Sequence, residues 1–184
     1  MPYAYVDESH YAEPPGFYLL AAALFDGPAA AAARATMQEL TRVLRVNRVH
    51  WHDLDAKRRD IALACVTRLS FTAVAVVGSP MAARQERARR QCLGRLLWET
   101  GRRGTSVAMF ESRGPRRHPH DVRVIDGFRR AHTVPTTLSV AHAPAAAEPL
   151  LWVADVLAGV VAARERGGAA EFGRAVEVHR ITLY

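Results

Sequence analysis

Three carboxylates lie in apolar stretches of the chain, where an ionised side chain is costly. Asp7 and Glu111 each close a short apolar run, and Asp155 lies in the middle of the apolar run 150–163. An ionised carboxylate in such surroundings needs a counter-charge, hydrogen-bond donors or a bound metal ion. If the three converge, a shared divalent cation can compensate them, and the chemistry this predicts is metal-dependent hydrolysis of phosphate esters.

The elements that must position these carboxylates are predicted by hydrophobic periodicity. The chain begins with strands at 3–7 and 17–25, joined as a hairpin, and strands and helices alternate after it. The further helices are predicted at 29–46, 56–69, 82–103, 121–131 and 150–166, and the further strands at 71–77, 105–110, 136–142 and 176–183, with a short helix before the last strand. Such alternation predicts an α/β fold with a mixed sheet.

Helical spacing places small residues beside Asp155. Ala158, Gly159 and Ala162 share its face of the helix, so the helix can approach a sheet closely and direct the carboxylate inward. The alternative is a buried aspartate that backbone amides or an arginine satisfy. On the first strand Asp7 and Glu8 point to opposite faces, and Asp7 shares its face with Tyr3 and Tyr5. The hairpin places Asp7 at the turn end of this strand, and the alternative is that Asp7 and Glu8 merely begin the turn with solvated side chains.

The order of motifs resembles a family of bacterial proteins catalogued as domain of unknown function 3800, which is grouped with ribonuclease-H-like and retroviral-integrase-like folds. The resemblance lies in the opening strand 5–9, the His50-Trp-His52 segment before a helix, and the helix segment 151–159 with sequence LWVADVLAG. It covers nearly the whole chain and implies one ribonuclease-H-like domain, residues 1–184, with a mixed sheet, an N-terminal antiparallel hairpin and flanking helices.

The resemblance also implies an acidic triad of Asp7, Glu111 and Asp155 that binds Mg²⁺ or Mn²⁺ and hydrolyses nucleic acid, either RNA or DNA. Asp121 or Asp126 can replace Glu111 as the third acid. The candidate accessory residues are Glu8, His50, His52, Asp121 and His142, the last of these closing a strand near Asp155.

A basic loop and a pair of histidines could also bind ligands. Arg113, Arg116 and Arg117 follow Glu111 in a basic loop, 112–120, that can hold phosphates at the rim of the site or be merely solvated. His50 and His52 can face the same way on a strand, which suggests a zinc or manganese hydrolase as a rival, although no further ligand at a suitable spacing accompanies them.

The composition of the chain indicates its class of partner and its location. The net charge of +7 and the pI near 10.2 favour nucleic acid as a partner. No apolar run reaches the roughly 20 residues that span a bilayer, and the N-terminus has no signal-peptide pattern. Cys65 and Cys92 lack disulfide or ligand spacing, so we expect a cytoplasmic protein.

Two other functions remain open at this point. One is a non-catalytic nucleic-acid-binding module that uses the arginine-rich surface of the same fold. The other is a protein-interaction module in which the buried acids are structural. A homo-oligomer is also open, with Leu97 and Trp98 as a candidate contact surface on the charged helix 82–103.

Overall fold

The computed structural model describes residues 1–81, 85–112, 118–168, 172–173 and 175–184, with the side chains of 118–122 excepted. The strands are β1 (Tyr3–Tyr11), β2 (Phe17–Phe25), β3 (Thr72–Ser79), β4 (Val107–Glu111), β5 (Ser139–Ala143) and β6 (Val176–Thr182). The helices are α1 (Gly27–Leu44), α2 (Ala56–Val66), α3 (Gln85–Gly101), α4 (His118–Arg130) and α5 (Pro149–Glu165), with a 3₁₀ turn at Trp51–Asp53. No helix in these ranges is long and apolar enough to cross a membrane.

The six strands form one mixed sheet in the order β5-β4-β1-β2-β3-β6. β2 is antiparallel to both β1 and β3, whereas β1–β4, β4–β5 and β3–β6 are parallel pairs. The carboxyl ends of β1, β3, β4, β5 and β6 therefore lie at the same edge of the sheet. We call this edge the carboxyl edge, and Asp7 of β1 lies there beside Glu111, the last residue of β4.

Helices cover both faces of the sheet. Side chains of α1, α2 and α5 pack on one face with Tyr5 and Leu19, and side chains of α3 and α4 pack on the other with Val6 and Leu20. All nine residues of β2 are buried because both of its faces are covered. A strand buried on both faces is continuously apolar, which explains why the sequence of β2 shows no alternation.

β1 is longer than the sequence predicted. It continues to Tyr11 because β2 pairs with it along its whole length, from Tyr3↔Phe25 to Tyr11↔Phe17. Asp7 therefore lies in the interior of the strand, and the prediction that it occupies the turn end is wrong. The turn forms at 12–16, where Gly16 has a φ of 57°, a conformation that glycine adopts without strain.

α5 lies between the sheet and the helices α1 and α2. Every residue from Pro149 to Ala162 is buried except Asp155, as expected for a helix enclosed on all sides. Its first turn is fixed by Glu148, which accepts a hydrogen bond from the Leu150 N–H at 3.1 Å and pairs with Arg34 at 2.9 Å. These contacts fix the position of α5 on the sheet, and with it the position of Asp155 beside β1.

Other sequence predictions need correction at single residues. α4 begins at His118, within the predicted loop 112–120. Leu97 is fully buried, so it cannot mark a contact surface, whereas the neighbouring Trp98 is 43% exposed. The predicted strand at 176–183 agrees with β6.

Candidate functional site

Asp7 lies on the floor of a cleft at the carboxyl edge, beside the end of β4. The parallel register pairs Val6 with Phe110, so Asp7 and Glu111 are the next residues along the two strands. Burial raises the pKa of Asp7 well above its usual value, and the charge of Asp155 raises it further. No cationic side chain within the described ranges forms an ion pair with Asp7. Within the part of the chain that the structure describes, no cation therefore balances its charge.

Asp155 reaches the same cleft from α5, with its side chain 14% exposed. Its Oδ2 accepts a hydrogen bond from the Trp51 backbone N–H at 2.6 Å, and its Oδ1 lies 3.8 Å from His50 Nε2. Burial raises the pKa of Asp155, although the Trp51 amide and His50 act in the opposite direction. Asp7 and Asp155 line the same cleft, and the electrostatic interaction between their carboxyl groups is one of the causes of the raised pKa of Asp7.

Glu111 stands at the mouth of the cleft. It is the last residue of β4, its side chain is 45% exposed, and its Oε1 lies 3.6 Å from Arg48 Nη1. Asp7, Glu111 and Asp155 line one cleft of about 210 Å³. Their carboxylate oxygens are not all within 4.8 Å of one another.

The segment that carries the two histidines forms a 3₁₀ turn at Trp51–Asp53, so the two side chains are not aligned as they would be on a strand. The Asp53 N–H donates to the His50 carbonyl at 3.0 Å and closes the turn. Trp51 packs on α5, where a Cβ added at Gly159 would lie 2.3 Å from its ring. This packing holds His50 and His52 at the wall of the cleft. Among the described residues, neither histidine belongs to a group of three ligand atoms within 4.8 Å, so the rival zinc centre has no support.

Glu8 points to the opposite face of the sheet from Asp7, as the alternation along β1 predicts. Its Oε2 accepts hydrogen bonds from Tyr18 Oη at 2.6 Å and from Arg89 Nε at 3.0 Å. The side chain of Arg89 is only 4% exposed, so this ion pair is a buried contact between β1 and α3. Glu8 is therefore held by the protein, in contrast to its neighbour Asp7.

Two of the remaining candidates lie away from the cleft. His142 pairs in register with Phe110 and its ring lies 6.0 Å from the Phe110 ring. Residues paired in register share a face, so His142 lies on the face that α3 and α4 cover, and the prediction that it approaches Asp155 is wrong. Asp126 belongs to α4 on that same face and pairs with Arg129 at 3.3 Å.

The other candidates fall outside what the structure describes. Arg113, Arg116 and Arg117 lie outside the described residues, and the same holds for the side chain of Asp121. Their predicted roles remain predictions.

A second acidic cluster was not predicted. Glu99, Glu177 and His179 each place a ligand-type atom within 4.8 Å of the others, and they form the one such group within the described ranges. However, Glu99 lies 2.7 Å from both Arg95 and Arg103, and Arg103 also binds Glu177. Guanidinium groups already balance these charges, so we interpret the cluster as an ion-pair network between α3 and β6.

A metal ion is chemically compatible with the cleft. Oxygen ligands from carboxylates are the ones that Mg²⁺ and Mn²⁺ prefer. Asp7 and Asp155 both supply such oxygens to the cleft, and a cation would bring Asp7 the positive charge that none of the described side chains provides. Glu111 can complete the set if its side chain turns away from Arg48.

Sequence reasoning missed Trp51 and Arg89, although both lie beside the cleft. Gly159, four residues after Asp155, gave an indication that a large side chain packs there. Arg89 looked like one of many arginines on an exposed helix, and nothing local distinguishes it.

Comparison with solved structures supports the fold. A chain in the structure of the PCNA:RNase HII complex from Archaeoglobus fulgidus matches 91% of this chain and 75% of its own length, with a TM-score of 0.58 and 15% sequence identity. The chain thus has a ribonuclease-H-like fold, as the sequence predicted. No family model and no curated protein matches the chain, so the resemblance to domain of unknown function 3800 remains a prediction.

Proposed function

We propose that the chain is a divalent-metal-dependent hydrolase of phosphodiester bonds in nucleic acid, with Asp7, Asp155 and Glu111 as the metal ligands. The observation that carries the proposal is the pair Asp7 and Asp155, two carboxyl groups that line one cleft at the carboxyl edge of a ribonuclease-H-like sheet and whose pKa values burial raises. Perturbed pKa values in a cleft are typical of functional sites.

Bound Mg²⁺ or Mn²⁺ would supply Lewis-acid stabilisation of the charge that develops on the phosphate. The residues of the chain hold and orient the site. The Trp51 N–H fixes the Asp155 carboxylate, and His50, 3.8 Å from Asp155, can hold a proton at Nε2. Glu8 is fixed by Arg89 and Tyr18 on the other face and serves as structural support for β1.

Nucleic acid is the substrate that the charge of the molecule favours. A chain with net charge +7 attracts polyanions. Arg113, Arg116 and Arg117 follow Glu111 directly in the sequence, so we propose that they contact substrate phosphates at the mouth of the cleft.

Cleavage of labelled RNA and DNA oligonucleotides tests the proposal. We expect cleavage in Mg²⁺ or Mn²⁺ and none in EDTA. Asp7→Asn and Asp155→Asn should lower the rate more than about 100-fold, because each removes a ligand of the cation. Asp60→Asn, at an exposed position of α2, is the matched control and should retain full activity.

Calorimetry separates the proposal from its alternatives. We expect Mg²⁺ or Mn²⁺ to bind the unmodified chain and Asp60→Asn, and not Asp155→Asn. Salt-dependent nucleic-acid binding without cleavage, unaffected by Asp7→Asn, would support the non-catalytic binding module instead. Absence of both metal and nucleic-acid binding would leave the acids with a structural role only.

A further inference from the structure

The outward face of α3 combines arginines with one exposed tryptophan. Arg87, Arg90, Arg95 and Trp98 are exposed along α3 and Arg102 is exposed just after its end, and we call these five residues the α3 stripe. At 1.5 Å per residue the helical part, from Arg87 to Trp98, is about 16 Å long. The acids of α3 are Glu86, which is exposed, and Glu99, which is buried. Because Glu99 pairs with Arg95 and Arg102, the unbalanced positive charge of the stripe lies mainly at Arg87 and Arg90.

Trp98 differs from the other tryptophans of the chain. Its side chain is 43% exposed, whereas Trp51 and Trp152 are buried. The guanidinium groups of Arg95 and Arg102 lie 5.2 and 5.3 Å from the centre of its ring. Both arginines also bind Glu99, at 2.7 and 3.3 Å, so their positions around the ring are fixed. The indole is held in place without being covered.

The beginning of the stripe lies beside the cleft. Arg89 lies between Arg87 and Arg90 in the sequence, and its ion pair with Glu8 ties this turn of α3 to β1 next to Asp7. A second hollow shares Asp7, Glu8 and Glu111 with the cleft and is also lined by Arg89 of α3. No acidic side chain of the described chain pairs with Arg87 or Arg90, so both are available to bind phosphates.

We propose that the α3 stripe binds single-stranded nucleic acid as it leaves the cleft, with phosphates on Arg87 and Arg90 and a base stacked on Trp98. The choice of partner rests on the proposed function. A basic track with an exposed aromatic ring is the combination that single strands recognise, because every base offers a face for stacking. A duplex, whose bases are already stacked, would use the arginines alone.

Binding of fluorescein-labelled oligothymidylate, followed by anisotropy in EDTA, tests this proposal without cleavage. Arg87→Gln/Arg90→Gln should weaken binding about tenfold and reduce the slope of log K against log salt by about 1.4, since each phosphate contact contributes about 0.7 for single strands. Trp98→Ala should weaken binding about tenfold, and Trp98→Phe should retain most of the affinity, because phenylalanine still stacks.

The matched control is Arg42→Gln/Arg68→Gln, which removes two exposed arginines on the α1 and α2 side of the sheet. An equal loss of affinity in this control, or unchanged binding by Trp98→Ala, would overturn the proposal. Equal affinity for a duplex of the same length, with no effect of Trp98→Ala, would likewise overturn the stacking role. The result is independent of catalysis: if the chain never cleaves but the stripe variants weaken binding, the stripe stands and the hydrolase proposal fails.

Discussion

At the scale of single residues, Asp7 is placed where ionisation is unfavourable without a cation. Burial and the nearby charge of Asp155 raise its pKa. A group whose pKa is higher in the folded than in the unfolded chain binds protons more tightly when folded, so stability falls as pH rises from the unfolded value of Asp7 to its folded value. Above the folded pKa of Asp7, the ionised side chain lowers the free energy of unfolding by its full amount.

Asp7→Asn should therefore stabilise the metal-free chain. At neutral pH we expect a gain of about 1 kcal/mol or more, which raises Tm by about 2–4 °C in a domain of this size, measured by thermal unfolding in EDTA. The gain should shrink as pH is lowered towards the unfolded pKa, because the carboxyl group is then protonated in both states. Added Mg²⁺ should raise the Tm of the unmodified chain only. A lower Tm for Asp7→Asn at neutral pH would contradict this account of the site.

At the scale of elements, the junction of α3 and β6 depends on Glu99. This side chain is fully covered, by arginine side chains rather than by the apolar core. Burial alone would raise the pKa of Glu99, but hydrogen bonds from Arg103 and Arg95 outweigh it and the pKa is lowered. A lowered pKa contributes stability above the unfolded value, and that contribution is lost as pH falls through the folded value.

Glu99→Gln should destabilise the chain by about 2 kcal/mol at neutral pH, because it removes charged hydrogen bonds to Arg95 and Arg103. The difference between variant and unmodified chain should diminish in acid, where Glu99 is protonated. Urea unfolding at both pH values measures this. Glu39→Gln, which breaks an exposed pair with Arg42 on α1, is the control and should change stability by less than about 1 kcal/mol. Equal effects of the two substitutions would show that the network adds nothing to the junction.

The contact between α5 and the 3₁₀ turn depends on Gly159. A methyl group there would meet the Trp51 ring at 2.3 Å. Trp51 must then move, and with it the backbone N–H that holds Asp155. We expect Gly159→Ala to cost about 1–3 kcal/mol, as overpacking does, and to weaken metal binding.

Gly127→Ala provides the matched control, since Gly127 also lies in a helix but a Cβ there has nothing within 4 Å. Alanine at such a position should stabilise by about 0.5–1 kcal/mol. Chemical unfolding and metal titration of both variants check the pair. If Gly159→Ala leaves stability and metal affinity intact, the turn is free to shift and does not position Asp155.

At the scale of the whole molecule, the sequence predicted the elements better than their contacts. Periodicity predicted β2 and α5 closely because each has a uniform apolar surrounding. Periodicity did not predict that Asp7 lies in the interior of β1. The polar run 7–10 is typical of a turn, and only its pairing with β2 shows that the strand continues. Periodicity also did not predict the ion pair between Arg89 and Glu8, because a contact between β1 and α3 produces no pattern in the sequence around either residue.

The parallel pairing of β3 with β6 has a consequence for biosynthesis. Residues 80–175 separate the two strands, so a ribosome completes α3, β4, α4, β5 and α5 before the outer neighbour of β3 exists. During that interval the unpaired edge of β3 exposes backbone N–H and C=O groups that can pair with other nascent chains, which is a known route to aggregation. The protein should consequently depend on chaperones, or on slow translation, more than its folded stability would suggest.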